Sequence, residues 1–296
     1  MTLSPNKFIL ADLKLAHPKL KELLSSHRSM STTNSSTVYE PPPYSSSPLL
    51  AQLDCVAHGF FGARGGVSAG IYASLNCGFS SLDERALVRE NRRRVAACFC
   101  LPESDLYSLK QAHTTRVVSL DLESEVQFET TADGMVCNVP GVGLGALGAD
   151  CAPVLFADPA NRVIGAAHSG WKGALNGINE AVVTAMLELG AQIGTIHAAI
   201  GPAMQARYYE VKPDFQAHFE KRSPIDASGF FCRRNNKLYF DTPAYIQARL
   251  LALGILEIDR NIEDTYAAPD TYFSYRRSCL EGEEDYGRQI AVIALR

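Results

Sequence analysis

No long apolar run, no excess of one charge and no regular cysteine spacing occurs in this 296-residue chain, and each absence removes a class of protein. The most hydrophobic stretch, residues 135–157, is broken by Asn138, Pro140, Asp150 and Pro153 and by four glycines between 141 and 148. A spanning helix needs about 20 predominantly apolar residues, so no membrane segment is read here. A formal net charge of -4 gives no electrostatic case for nucleic acid or an anionic membrane as partner. Arg92, Arg93 and Arg94 lie in a helical pattern and read as a solvated face, and Arg233-Arg234 is equally local. The eight cysteines sit mostly in apolar phrases such as Ala97-Cys98-Phe99-Cys100, without the spacing of a disulfide framework. Residues 1–10 carry no signal-peptide pattern. Free thiols in the reducing cytoplasm are therefore the expectation.

What is present is enough apolar side chain, 46% of residues, to fill the core of a full-sized domain. Two regions are expected: an N-terminal extension over 1–50 and a catalytic domain over 51–296. Within the extension, residues 13–24 carry leucines at helical spacing. Residues 29–49 are rich in serine and contain Pro41-Pro42-Pro43, so they read as a loop or tail that cannot offset the entropy of its own ordering. A strand is expected over 53–60. Ser81 with Glu84 fits a capping box ahead of a helix over 82–99. Residues 162–167 and 195–200 read as buried strands, with a helix over 172–189 between them that Gly190 ends. Asp241 and Pro243 open a further helix reaching Gly254, and 289–295 is a closing strand. The glycines of Gly141-Val142-Gly143-Leu144-Gly145 lack the spacing and the following helix of a dinucleotide fingerprint. Strands and helices alternate irregularly and no internal repeat is visible. The expected fold is a single α+β domain with mixed β-sheets packed against helices.

Three short polar phrases stand out from these apolar surroundings: Lys110-Gln111-Ala112-His113, Gly148-Ala149-Asp150-Cys151 and Ala166-Ala167-His168-Ser169-Gly170-Trp171. Singly they mean little, because a buried cysteine is commonly an inert small hydrophobe. Together, two imidazoles and a thiolate form a three-ligand set for zinc that leaves a fourth position open, as catalytic zinc requires. Their separations are too wide for a zinc finger, so separate elements must bring them together. One thiolate leaves about one positive charge on the metal, suited to an anionic ligand or to acidifying bound water. Strand alternation across Asp150-Cys151 would point the carboxylate away from the metal, where it can orient a ligand imidazole. Asp133 is a second candidate for orientation or proton handling. An alternative reading makes Cys151 the nucleophile of a hydrolase with His113 or His168 as base. A metal needs both histidines converging on the sulfur, whereas a cysteine hydrolase would leave one remote.

Other phrases read as substrate-binding parts. Arg64 beside Gly65-Gly66-Val67-Ser68 can receive phosphate oxygens, Asn76 follows Ser74-Leu75, and Lys172 can meet the same anion. Arg276, in Phe273-Ser274-Tyr275-Arg276-Arg277, and Arg288, in Tyr286-Gly287-Arg288, can flank a heterocycle or a phosphate.

In this order the phrases resemble the YfiH family, also described as the laccase-domain or polyphenol oxidase family and as a family of purine nucleoside phosphorylases. The resemblance spans about residues 53–295 and also takes in Ala132-Asp133-Gly134 and Ile200-Gly201-Pro202. It implies zinc held by His113, Cys151 and His168. It further implies phosphorolysis of adenosine, inosine, guanosine or methylthioadenosine with inorganic phosphate, and deamination of adenosine as a further activity. Copper-dependent polyphenol oxidation, the older family label, needs a multi-site copper cluster that one cysteine and two histidines do not make. The chain departs from the family's pattern at Ala203, Asp264 and Thr114. If Ala203 and Asp264 line the pocket, they change substrate choice, and a non-catalytic purine-binding or scaffolding protein is a further alternative. The expected catalytic residues are His113, Cys151, His168 and Asp133; the expected substrate contacts are Arg64, Asn76, Lys172, Arg276 and Arg288.

Overall fold

The computed structural model describes residues 40–120 and 129–296, and the helix expected over 13–24 lies outside them. The helices are α1 (Arg85–Ala97), α2 (Trp171–Asn176), α3 (Ile178–Glu188), α4 (Pro213–Arg222), α5 (Thr242–Ala252) and α6 (Tyr275–Glu281). The strands are β1 (Tyr44–Ser45), β2 (Val56–Phe61), β3 (Leu106–Tyr107), β4 (Val117–Leu120), β5 (Gly134–Cys137), β6 (Gly143–Gly148), β7 (Ala152–Asp158), β8 (Val163–Ser169), β9 (His197–Ile200), β10 (Glu210–Val211), β11 (Phe231–Arg234), β12 (Lys237–Phe240), β13 (Glu257–Arg260) and β14 (Gln289–Leu295). They form a five-stranded sheet ordered β1-β2-β14-β6-β3, a six-stranded sheet ordered β13-β9-β7-β8-β5-β4 and a small sheet ordered β10-β12-β11. The expected α+β domain is what these mixed sheets and their helices form.

The two large sheets face each other, and the alternation of side chains explains why their strands are apolar throughout. In β14, Ala291, Ile293 and Leu295 enter the core between the sheets, while Ile290 and Val292 pack toward Val95 and Ala96 of α1. In β7, Leu155 and Ala157 face the same inner core, while Val154 and Phe156 face Ile178 and Val182 of α3. A strand covered on both faces has no polar side to show, so its sequence reads as a continuous hydrophobic run. Gly134 and Gly165 let α3 lie close: a Cβ on either would come within 2.8 Å of Val182.

Several expectations are corrected. Ser81 and Glu84 form no capping box. Ser81 instead donates to the Gly78 carbonyl and accepts from Asn76, and Glu84 caps α1 without a side-chain bond. The helix expected over 172–189 is two helices, because Gly177 adopts φ +97° between α2 and α3, a conformation open to glycine. The loop expected to run to residue 49 contains β1. Tyr44 pairs with Phe61 in register, its ring lies 4.9 Å from that of Phe61, and Leu50 is fully buried. Composition hides this, since the contacts that order the segment come from distant residues. Asp241 does cap α5, accepting from Ala244 N–H. Among the described residues no helix is long and apolar enough to cross a membrane.

Candidate functional site

The site forms at one end of the six-stranded sheet, where β7 begins and β8 ends side by side. Pro153 pairs with His168 in register, so Cys151, just ahead of β7, lies next to the last residues of β8. His168 continues the face of Ile164 and Ala166 and is buried. His113 comes from the loop between β3 and β4 and has φ +59°, a conformation uncommon outside glycine. Two side chains fix that loop. Gln111 pairs with the backbone of Leu147 in β6 through both its amide oxygen and its amide nitrogen, each at 2.8 Å. Asp133, buried ahead of β5, accepts from the backbone N–H of Ala112, His113 and Thr114, and from the Thr114 hydroxyl. The same carboxylate lies 2.8 Å from His168 Nδ1. One group therefore positions both histidines, and it leaves Nε2 of His168 for the cluster.

The ligand atoms of His113, Cys151 and His168 lie within 4.8 Å of one another. Cys151 Sγ is 3.7 Å from His113 Nε2, close to the roughly 3.6 Å edge of a tetrahedron with zinc–sulfur and zinc–nitrogen bonds of ordinary length. Gly170, between β8 and α2, leaves the space beside them open. A Cβ there would stand 2.7 Å from Cys151 Sγ and 2.9 Å from His113 Cδ2. The donor set thus fits a single tetrahedral metal ion with one position free. It is the one group of three or more such side chains placed to hold a metal among the described residues.

Without a metal, the charges balance internally. Burial would push the Cys151 thiol up, but the charge on His168 and the contact with His113 outweigh it and bring it down to about 6. Burial would push His168 down, but the Cys151 thiolate and the Asp133 carboxylate raise it to about 9. Burial works against the Asp133 carboxylate too, yet the bonds from His168 and Thr114 hold it at about 2.

Two clefts meet at the cluster and share His113, Ala149, Cys151, Trp171 and Tyr275. The first, of about 780 Å³, is walled by Trp171, Met204, Tyr209 and Tyr275, with Thr242 and Arg276 among its polar groups. Burial keeps the Tyr209 hydroxyl protonated by raising its pKa. The second, of about 1230 Å³, is lined also by Ser80, Leu109, Leu147, Lys172, Tyr286 and Arg288.

Lys172, Arg276 and Arg288 thus border the clefts, whereas two of the expected contacts do not. Arg64 turns away to the Asp270 carbonyl and the Thr271 hydroxyl and lines a separate surface pocket with Tyr44 and Glu263. Asn76 is fully buried and bonds Ser81, Asp83 and the backbone of Gly78 and Arg288, so it ties loops together. Asp150 does not orient an imidazole. It has φ +86° in a turn rather than a strand, and it accepts from Thr265, Ser274 and the Arg276 N–H. Its burial pushes its pKa up against those donors. Ala203 and Asp264 bridge to each other in the backbone outside the clefts, and Asp264 accepts from Gln205, Tyr266 and Ala267 N–H. Sequence reasoning missed Tyr209, Met204 and Thr242, which carry no local signal: Met204 and Tyr209 come from the stretch between β9 and β10, and Thr242 from the start of α5.

A family model described as multi-copper polyphenol oxidoreductase laccase matches residues 57–296. The chain is 36% identical over 249 residues to the purine nucleoside phosphorylase of Deinococcus radiodurans, covering 84% of this chain and 93% of that protein. It is 33% identical over 267 residues to mouse purine nucleoside phosphorylase LACC1, covering 84% of this chain and 57% of the mouse protein. The crystal structure of the Bacillus licheniformis hypothetical protein YfiH superposes with a TM-score of 0.75 at 28% identity, covering 81% of this chain and 93% of that one.

Proposed function

This chain belongs to the family described as multi-copper polyphenol oxidoreductase laccase, that of YfiH, and from that premise we propose that it is a zinc-dependent purine nucleoside phosphorylase. The observation that carries the reading is the cluster of His113, Cys151 and His168 opening onto an aromatic-walled cleft, in a chain whose relatives bear that name. His113, Cys151 and His168 would hold the zinc, which when bound would supply Lewis-acid charge to the site. One such cluster among the described residues, with its mixed donor set, suits zinc better than the several coppers of an oxygen-reducing laccase.

In this reading the purine of adenosine, inosine, guanosine or methylthioadenosine stacks among Trp171, Tyr209 and Tyr275. A phosphate oxygen forms the new bond to ribose C1′ as the C1′–N9 bond breaks. The electron pair leaves with the base, which takes up a proton, and ribose 1-phosphate remains. Asp133 is a positioning residue: its carboxylate bonds serve the His113 loop and the His168 ring. The same reading gives the pocket a second activity, deamination of adenosine, in which water adds at C6 and ammonia leaves. The catalytic unit takes in the chain from Tyr44 onward, and a cytoplasmic setting keeps the thiol ligand reduced. Purified protein given inosine should release hypoxanthine only when phosphate is present. Equal release without phosphate refutes phosphorolysis.

A second reading has its own observation. Asp133, His168 and Cys151 form a carboxylate–imidazole–thiolate chain, the arrangement of a cysteine nucleophile with its base and orienting group. It differs from the first in one measurable respect, since a cysteine hydrolase keeps its activity after complete removal of metal. The convergence of His113 on the same sulfur favours the metal.

A further inference from the structure

We infer that the second cleft, which both Lys172 and Arg288 line, is the subsite for the oxyanion co-substrate, free inorganic phosphate. The inference rests on the phosphorylase reading and divides its two substrates between the two clefts. Among the described residues no carboxylate lines the second cleft, while a lysine and an arginine do. Lys172 is exposed and makes no ion pair among those residues; its ammonium lies 5.5 Å from the Trp171 ring. Arg288 is built into place. Its guanidinium lies 4.0 Å from the Tyr286 ring and donates to the Tyr286 carbonyl, and its backbone N–H is held by the buried Asn76. Gly78 makes room for its stem, since a Cβ there would stand 2.8 Å from Arg288 Cδ.

Nη1 of Arg288 donates to the Tyr286 carbonyl and Nη2 pairs with Asp285 at 3.5 Å, while Nε has no protein acceptor among the described residues. The first cleft differs in carrying a carboxylate, Asp150, in its lining. Its Arg276 donates to the Glu210 carbonyl and lies near the Tyr209 ring, among aromatic walls. Two cations that keep unused N–H donors, lining the same cleft as Cys151 and His113, fit a compact dianion that must reach a reacting carbon at the shared wall. This also gives Asn76 a purpose that its burial denied it as a substrate contact: it positions Arg288.

The same phosphoryl chemistry occurs on the 5′-phosphate of a purine nucleotide, so the test separates the two sources. Initial rates of inosine phosphorolysis are measured against phosphate and against inosine for the wild-type protein, Lys172→Gln and Arg288→Gln. Binding of inorganic phosphate and of inosine 5′-monophosphate is followed by calorimetry without turnover. Each substitution should raise the KM for phosphate and weaken phosphate binding by roughly tenfold or more, as loss of a charge-assisted contact does, with the KM for inosine unchanged. Lys172→Arg should retain phosphate binding. Because Lys172 is exposed, its variants remain folded, and they decide the matter if Arg288→Gln does not fold. An unchanged phosphate KM overturns the subsite. So does weakened binding of the monophosphate with free phosphate unaffected. If the protein binds phosphate through these residues yet releases no hypoxanthine, the subsite stands and the phosphorylase reading falls. If the wild-type protein binds no phosphate, the subsite falls.

Discussion

Replacing Asp133 by asparagine keeps the size of the side chain, removes its charge, and so isolates what the carboxylate does for the cluster. Both oxygens are in use. Oδ1 meets His113 N–H at 3.0 Å and His168 Nδ1 at 2.8 Å, and Oδ2 meets the N–H groups of Ala112 and Thr114 and the Thr114 hydroxyl. An amide has one oxygen, so in either orientation its NH₂ faces donors. Turned toward Thr114, it strands two backbone N–H groups in the His113 loop. Turned toward His168, it drives the ring to the tautomer with its proton on Nε2, the nitrogen that faces Cys151. Each lost bond to the charged group costs about 1.5–3 kcal/mol. Changing the partner of a metal-ligating histidine lowers metal affinity by roughly 10- to 100-fold. Asp133→Asn should therefore weaken zinc by that factor in a chelator-competition titration, lower the thermal midpoint, and reduce kcat/KM. A zinc affinity equal to that of the wild-type protein would refute the claim that this carboxylate sets the geometry of both histidines.

Gly170→Ala should abolish tight metal binding without unfolding the chain. Its φ of -68° suits alanine, but the new methyl would press on Cys151 Sγ and His113, and normal metal content in the purified variant would contradict this. In metal-free protein, alkylation of Cys151 by iodoacetamide should follow a thiolate that titrates at about 6 rather than at the ordinary 9, and zinc should block it. A midpoint near 9 would mean that His168 carries no charge there. Asp133 is held at about 2 against an ordinary 3.8, so its contribution to stability is complete above the ordinary value and is lost as pH falls toward 2. Melting curves of metal-free protein should show this acid loss, and Asp133→Asn should remove that part of it.

The elements most legible in the sequence are those whose information is local. The closing strand over 289–295 appears as expected, because seven consecutive residues covered on both faces leave one reading. The capping of α5 by Asp241 was visible for the same reason. The helix over 172–189 was misread because helical spacing continues across Gly177, and only the φ of that residue breaks it. In the site, the three ligand phrases were legible through residue chemistry, and the structure brings their side chains together. The place of Arg64 away from the clefts is not legible, because a guanidinium beside glycines looks the same whether it meets an anion or the Asp270 carbonyl. The orienting role was divided between Asp133 and Asp150, and only the turn at Asp150, with its partners Thr265 and Ser274, decides between them. The aromatic wall was not legible as such, since Trp171, Tyr209 and Tyr275 are far apart in the chain and only the fold brings them to one cleft.

The place of β14 has a consequence for how this domain is made. It lies between β2 and β6, so a strand synthesised after every other described strand forms the middle of the five-stranded sheet. Until it arrives, β2 and β6 expose unpaired edges, and Phe60, Leu144 and Ala146 lack the neighbours that cover them. Pairing across so long a stretch of chain is slow, which leaves a window for association with other nascent chains. Shortening the protein by this one strand would split the sheet through its centre rather than trim its rim.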